Sequence, residues 1–457
     1  MKKTHSEIIS IIQSPIGILL IAGFILRIIL YFLFQPYNHL DEVIFQDSKE
    51  YHQLALQFFK SGNFIINNST IDTLRTPGYP LFIWVIFVLF GIKVHLVLFA
   101  QIFLNLASVY ILFLICGNLF NKKIGFLAAL LLSLELDHLY FIYSLLTDTL
   151  FVFLLLLSTL YLTYFLKNEK PKYLILSTFI IGIATLVKPI GMFYPSVLLF
   201  ILVIYTVRNK KRSFSYIIKN FTVILVLFCL TISPWLVRNY SLYDYFRLST
   251  ITGISLLNWN AAITIQNSEK RPMSEIRNEL NSLAIKNETK ENLDNPFYKS
   301  KVQGDLALDY IQKHKVEYLR SSLLGMINIY SSLGYKEFSH RFFRTLDYSP
   351  TMDTGGFYKF STTSHRLNSL SPGVILTRII FVIYLLFSYI TALLGIILLL
   401  KQKRFVLVLF LISVIAFFTI LIGIVGLARY KLPISPFYLM FSGYYISNFK
   451  LFKNIKL

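Results

Sequence analysis

Charge is scarce in this chain. Only 15% of its 457 residues are Asp, Glu, Lys or Arg, where a soluble domain carries about a quarter. That shortage excludes an ordinary water-facing surface. Cysteine is scarcer still: Cys116 and Cys229 both lie inside apolar runs, so there is no pair of extramembrane thiols for a structural disulfide and no cysteine-based metal site. No Gly-rich phosphate loop stands beside a strand–helix unit, which argues weakly against a nucleotide at the centre of the chemistry. Long repeats and low-complexity tracts are missing too.

Apolar residues fill the space. They make up 55% of the chain, aromatics alone 16%, and mean hydropathy is +0.62. Runs such as 16–34, 94–116, 145–165 and 405–424 approach or exceed the ~20 residues that a helix needs to cross a bilayer. So many runs do not fit the buried helices of one soluble protein. The first carries Arg27 and is followed by bulky residues, so it reads as a retained span rather than a cleaved leader.

The net charge of +21 would suggest nucleic acid in a soluble protein. Here the basic residues collect at the ends of apolar runs, and anchoring against anionic bilayer lipid explains them without nucleic acid. Clusters at Lys2–Lys3, 121–123, 167–172, 208–212, 401–404 and Lys450–Lys456 define one cytoplasmic face. The chain must leave and return between them, which predicts spans near 16–34, 94–116, 125–137, 145–166, 173–188, 190–207, 217–237, 375–400, 405–428 and 432–447. The expected fold is thus an all-α transmembrane bundle of about ten spans with both termini inside. The apolar piece 80–90 is too short to cross twice and reads as interfacial or re-entrant. Three regions follow: a transmembrane core over 1–237 with a first outer loop at 35–79, a mixed extracytoplasmic region over 238–370, and a C-terminal transmembrane segment over 371–457. In the outer region, 271–285 and 303–319 have helical apolar periodicity, and Gly355-Gly356 with Ser371-Pro372 punctuate the approach to the next span.

The first outer loop concentrates polar chemistry, including Asp41, Glu42, Asp47, Glu50, Asp72 and Arg75. Residues 48–59 form an amphipathic helix whose face of Tyr51, Leu54, Ala55 and Phe58 can lie on the bundle, with Asp47 as N-cap. Two readings of Asp47 stay open: a cap only, or a carboxylate held at the membrane surface as base or ligand. Glu135 and Asp137 either delimit a hairpin or, with His138, supply ligands to a divalent metal. Lys188, Arg238 and Arg429 fall near outer ends of spans. There they can hold a phosphate or snorkel to headgroups.

Several motifs share an order. Asp47-x-x-x-Tyr51, Arg75-x-Pro77-Gly78-Tyr79-Pro80, Leu186-Val187-Lys188-Pro189, Ser233-Pro234-Trp235 with Arg238-Asn239-Tyr240, and Ala428-Arg429-Tyr430-x-x-Pro433-x-x-Pro436 together resemble the polytopic glycosyltransferases that use polyprenyl-phosphate sugars, the protein O-mannosyltransferases and lipid A aminoarabinose transferases. The resemblance spans nearly the whole chain and implies a GT-C-like fold. It further implies inverting transfer of a sugar from a polyprenyl-phosphate donor to an acceptor hydroxyl on a glycan, lipid or protein, at the extracytoplasmic face of a bacterial or archaeal plasma membrane. Asp47 and Asp148 take the catalytic places, and Lys188, Arg238 and Arg429 the donor phosphate. Tyr51, Arg75, Tyr79 and Tyr430 support them, and Asp137, His138 and Asp148 are the candidate metal ligands. Two departures matter. Lys188 stands where relatives more often have Arg, and Asp41-Glu42 superficially resembles the family's acidic pair, although Asp47 has the better spacing to Tyr51 and Arg75. A transporter or flippase of lipid-linked glycans and a non-catalytic membrane assembly protein are the rival classes.

Overall fold

A computed structural model describes residues 13–44, 47–66, 70–208, 213–288, 294–334, 338–339, 341–342 and 372–449. The basic ends Lys2–Lys3 and Lys450–Lys456, residues 209–212 of the basic cluster 208–212, Gly355-Gly356 and Ser371 lie outside these ranges.

Seven helices among the described residues are long and apolar enough to cross a bilayer. They are α1 (Pro15–Phe34), α4 (Val94–Leu119), α7 (Asp148–Asn168), α9 (Tyr194–Arg208, entered through the 3-10 turn Pro189–Phe193), α10 (Phe214–Tyr243), α14 (Pro372–Lys401) and α15 (Phe405–Ile422). Shorter helices stand between them, α2 (Asp47–Ser61), α3 (Gly78–Phe90), α5 (Lys122–Ser133), α6 (Leu136–Phe141) and α8 (Pro171–Val187), with α16 (Ser435–Asn448) after the last. Three of the ten expected spans fall on α5, α8 and α16. The expected span 125–137 breaks at Leu134, where α5 ends after 12 residues. That is about 18 Å of rise, well short of a bilayer's hydrocarbon. Helix α3, at 13 residues, is likewise one short helix and not a hairpin. The only strands among the described residues are Ile65–Ile66 and Thr70–Ile71, paired antiparallel.

Local chemistry sets the helix ends. Ser14 accepts from the Gly17 amide at 3.2 Å, with Pro15 at the first helical position of α1. Asn121 caps α5 through the Ile124 amide at 2.9 Å. The bundle packs around α7, flanked by α4 and α8, while α16 lies between α5 and α14. Arg27 is wholly buried. Its guanidinium donates to Asn105 Oδ1 at 2.6 and 2.9 Å and to the Gly23 carbonyl at 2.8 Å, so a cation inside α1 is met by dipoles that tie α1 to α4.

Beyond α10 come α11 (Met273–Lys286), α12 (Pro296–Lys313) and α13 (Lys315–Ser331). The predicted helix 303–319 is divided between α12 and α13 at His314. Helix α13 buries Ile329 but also exposes much of its apolar surface. It buries Ser321 and Gly325 while Val316, Leu319, Leu323 and Ile327 are exposed. A Cβ on Gly325 would sit 2.7 Å from the Ile424 backbone, and Tyr330 shares a 2.7 Å hydrogen bond with Thr419 of α15.

Candidate active site

Helix α2 is amphipathic, burying Tyr51, Leu54 and Ala55. Asp47 is its first helical residue rather than the residue before it, and its carboxylate reaches sideways to cations instead of back to the helix. Asp47 Oδ1 accepts from Arg75 Nη2 at 2.8 Å, and Oδ2 accepts from Arg429 Nη1 at 3.2 Å. Arg75 also donates from Nε to Glu50 Oε2 at 2.6 Å, and its guanidinium stacks 5.0 Å from the Tyr51 ring centroid. Glu50 was visible in sequence only as another loop acid. Its spacing of three from Asp47 on a helix is the signal that puts both on one face.

Asp148 approaches the same Arg429 from α7. It is buried at the first turn of that helix, where the N-terminal dipole favours a carboxylate. Lys188 Nζ donates to its Oδ1 at 2.6 Å, and Arg429 Nε lies 3.7 Å from its Oδ2, an oxygen that accepts no hydrogen bond. Lys188 is carried by the end of α8. There α3 comes close: a Cβ on Gly78 would fall 2.7 Å from the Leu186 and Val187 backbone. The Tyr430 ring faces both cations, 5.4 Å from Lys188 and 5.4 Å from Arg429.

Three carboxylates and three cations therefore interlock. Burial by itself pushes the Asp47 carboxyl up, but the Arg429 and Arg75 guanidiniums outweigh it and hold the group below the ordinary carboxylate value. Asp47 is an anion at neutral pH and a weak proton acceptor while both arginines hold it. The cluster opens on the side of Asp47 and Glu50, whose side chains are 27% and 35% exposed against 1% for Asp148.

Arg238 does not join this cluster. Its Nη1 donates to the Asp72 carbonyl at 3.2 Å and to Asn239 Oδ1 at 2.7 Å, and its guanidinium lies 4.3 Å from Trp235. Arg238 is carried by α10 and Arg429 by the 3-10 turn Ala428–Lys431, and sequence gives height along a helix but not direction around the bundle. Arg238 instead fixes the loop that presents Arg75, because Asp72 Oδ2 accepts from the Arg75 amide at 2.9 Å. Tyr79 is buried and donates to Gln101 Oε1 at 2.7 Å, and Gln101 in turn donates to the Ile142 carbonyl at 2.8 Å, a post that supports Tyr51 from beneath.

The helical architecture has counterparts among solved structures. A family model for dolichyl-phosphate-mannose-protein mannosyltransferase matches residues 74–237. Among solved structures, the oligosaccharyltransferase of Archaeoglobus fulgidus tethered to an acceptor peptide is similar over 96% of this chain, with a TM-score of 0.50 and 11% identity. The chain has the GT-C fold. It spans about half of that relative, 50% of its length. ArnT from Cupriavidus metallidurans bound to undecaprenyl phosphate aligns over 93% of this chain and 77% of its own, at 12% identity and a TM-score of 0.42. No curated protein matches the sequence.

Within this GT-C bundle the proposed metal ligands are not gathered. Asp137 Oδ2 is paired with Lys431 Nζ at 2.8 Å, His138 Nε2 lies 2.8 Å from Ser435 Oγ, and Asp148 is held by Lys188. Among the described residues no group of three or more His, Cys, Asp or Glu could hold a metal ion. The acids that do meet are already interleaved with cations, which do not suit a divalent ion. Asp41 is exposed on the short helix Leu40–Val43, apart from the cluster. Two residues escaped sequence reading altogether. Lys431 is wholly buried against Asp137. Arg341 donates to the Glu42 carbonyl at 2.7 Å and to Ser144 Oγ at 2.9 Å, pinning the first outer loop. Lys431 falls on an unspecified position of the last motif, and Arg341 lies in none of the motifs.

Proposed function

We propose that the chain is an inverting glycosyltransferase that moves a sugar from a polyprenyl-phosphate donor to an acceptor hydroxyl at the extracytoplasmic membrane face. One observation carries the reading: Asp47 and Asp148, from separate helices, share Arg429, with Arg75 and Lys188 on either flank. Paired carboxylates among cations suit a reaction in which a phosphate leaves and a hydroxyl loses its proton.

The donor phosphate exchanges places with a carboxylate on Arg429 and Lys188. Withdrawal of Arg429 from Asp47 raises the basicity of that carboxylate, so the base is activated as the donor seats. Asp47 then orients and deprotonates the acceptor hydroxyl. Its oxygen bonds to the anomeric carbon as the carbon–phosphate-oxygen bond breaks, and polyprenyl phosphate departs with its charge held by the cations. Arg238 serves this scheme indirectly, by holding the Asp72–Arg75 loop. The carboxylates have prior claims on the cations, so they are a gate as well as a catalyst. Transport of a lipid-linked glycan would call for polar groups near the midplane, whereas this cluster sits where α7 begins.

Transfer of labelled sugar from a panel of polyprenyl-phosphate donors tests the reading. Asp47→Asn, at wild-type protein levels, is expected to lower turnover by about 10²–10⁴-fold. Unchanged turnover in that variant would remove Asp47 from the chemistry.

A further inference from the structure

A second place in the molecule has the makings of a binding site, and it lies at the other end of α7. Asp148 and Lys167 occupy opposite ends of that helix, about 28 Å apart along its axis at 1.5 Å per residue. Around Lys167 is a cleft of about 410 Å³ between the ends of α4, α7 and α9 and the start of α15. Three cations from three different elements line it, Lys167, Arg208 and Arg404, and among the described residues it is lined by no carboxylate. None of the three forms an ion pair or a hydrogen bond through its side chain to another described residue. The carboxylate beside the cleft, Glu169, accepts from the lining Tyr205 at 2.8 Å and is ion-paired with none of the three cations, whereas Arg75, Lys188, Arg429 and Lys431 each pair with a carboxylate.

The rest of the wall is of another kind. Ile204, Leu407 and Phe410 are apolar, and they come from the lipid-crossing helices α9 and α15. A free inorganic anion needs the cations and has no use for this wall. A purely apolar ligand needs the wall and gains nothing from three unpaired charges. A phosphate joined to acyl chains uses both, with its headgroup at the rim and the first methylenes against Ile204 and Phe410.

We propose that this cleft is a binding site for the phosphate headgroup of an anionic phospholipid, in the leaflet opposite the carboxylate–cation cluster. The site stands apart from the transferase reading and does not depend on it.

The test uses the full-length protein, purified, stripped of lipid and offered equal dioleoylphosphatidylglycerol and dioleoylphosphatidylcholine, with retained lipid counted by native mass spectrometry. Wild type is expected to retain the anionic lipid in preference. Lys167→Gln/Arg208→Gln/Arg404→Gln is expected to weaken that preference by about tenfold, less than the full sum of three headgroup contacts because the cations are exposed. An unchanged melting temperature shows that this variant is folded. Ile204→Trp narrows the apolar wall and keeps every cation, so it is expected to lose phospholipid while glycerol 3-phosphate binds as before. Equal retention of the two lipids by wild type would overturn the proposal, and so would a triple variant that holds the anionic lipid as well as wild type. Displacement of the lipid by inorganic phosphate at matched concentration would overturn the lipid assignment in favour of a soluble phosphate.

Discussion

Buried in the loop that presents Arg75, Asp72 accepts backbone hydrogen bonds from Leu74 at 3.3 Å and from Arg75 at 2.9 Å. Both favour its ionised form, yet burial dominates and lifts the carboxyl from the usual 3.8 to about 6. A carboxyl raised on folding stabilises the fold most below its unfolded pKa and loses that contribution as pH rises through the folded one. Asp72 therefore makes the protein less stable as pH climbs from 3.8 to about 6. Asp72→Asn, which cannot ionise, is expected to flatten melting temperature over that window, and an unaltered slope would count against the assignment. The residue scale also separates what sequence could say from what it could not. Asp47, Arg75, Lys188 and Arg429 stood out because they lie in motifs at the ends of apolar runs, and Asp148 because the family resemblance points to it. Arg238 stood out by its motif too and faces elsewhere, toward Trp235 and the Asp72 carbonyl. Lys431 lies in no motif position that would reveal a buried partner, and only the folded chain brings Asp137 to it.

The 3-10 turn Ala428–Lys431 is the smallest element that matters to the site. Its alternate residues diverge: Arg429 points to Asp47 and Asp148, and Lys431 points to Asp137 and the Ser332 carbonyl. One cation anchors the turn while the other meets the two carboxylates. Lys431→Met leaves Asp137 buried without its charge partner, at a cost of about 3–5 kcal/mol. A large fall in melting temperature is expected, and most of it should return in Lys431→Met/Asp137→Leu, since removing both partners leaves no stranded charge. A double variant as unstable as the single one would refute the pairing argument. Elements were legible to different degrees. Long apolar runs announced α1, α4 and α15, but α5 and α16 are short helices packed inside the bundle, and hydropathy has no means of telling a short buried helix from a tilted span.

At the scale of the whole molecule, the membrane-facing assignment rests on composition that no soluble fold tolerates, and the GT-C architecture accords with it. What composition could not reveal is how the parts lock together along α7. This helix is flanked by α4 and α8 and mostly buried, and it runs 21 residues without a break from Asp148 to Asn168. Its length, about 30 Å, equals the hydrocarbon thickness of an ordinary bilayer. A helix so encased has little room to tilt or bend, so it behaves as a fixed gauge. In a thicker or thinner bilayer the headgroups shift relative to Asp148, because the protein does not stretch to follow them. If the proposed reaction is the right one, its rate in vesicles of graded acyl-chain length is expected to peak at an intermediate chain and fall on both sides, whereas a flat profile would mean that the gauge yields. Membrane thickness would then act on this protein as a substrate-independent regulator, set by whichever lipids surround it.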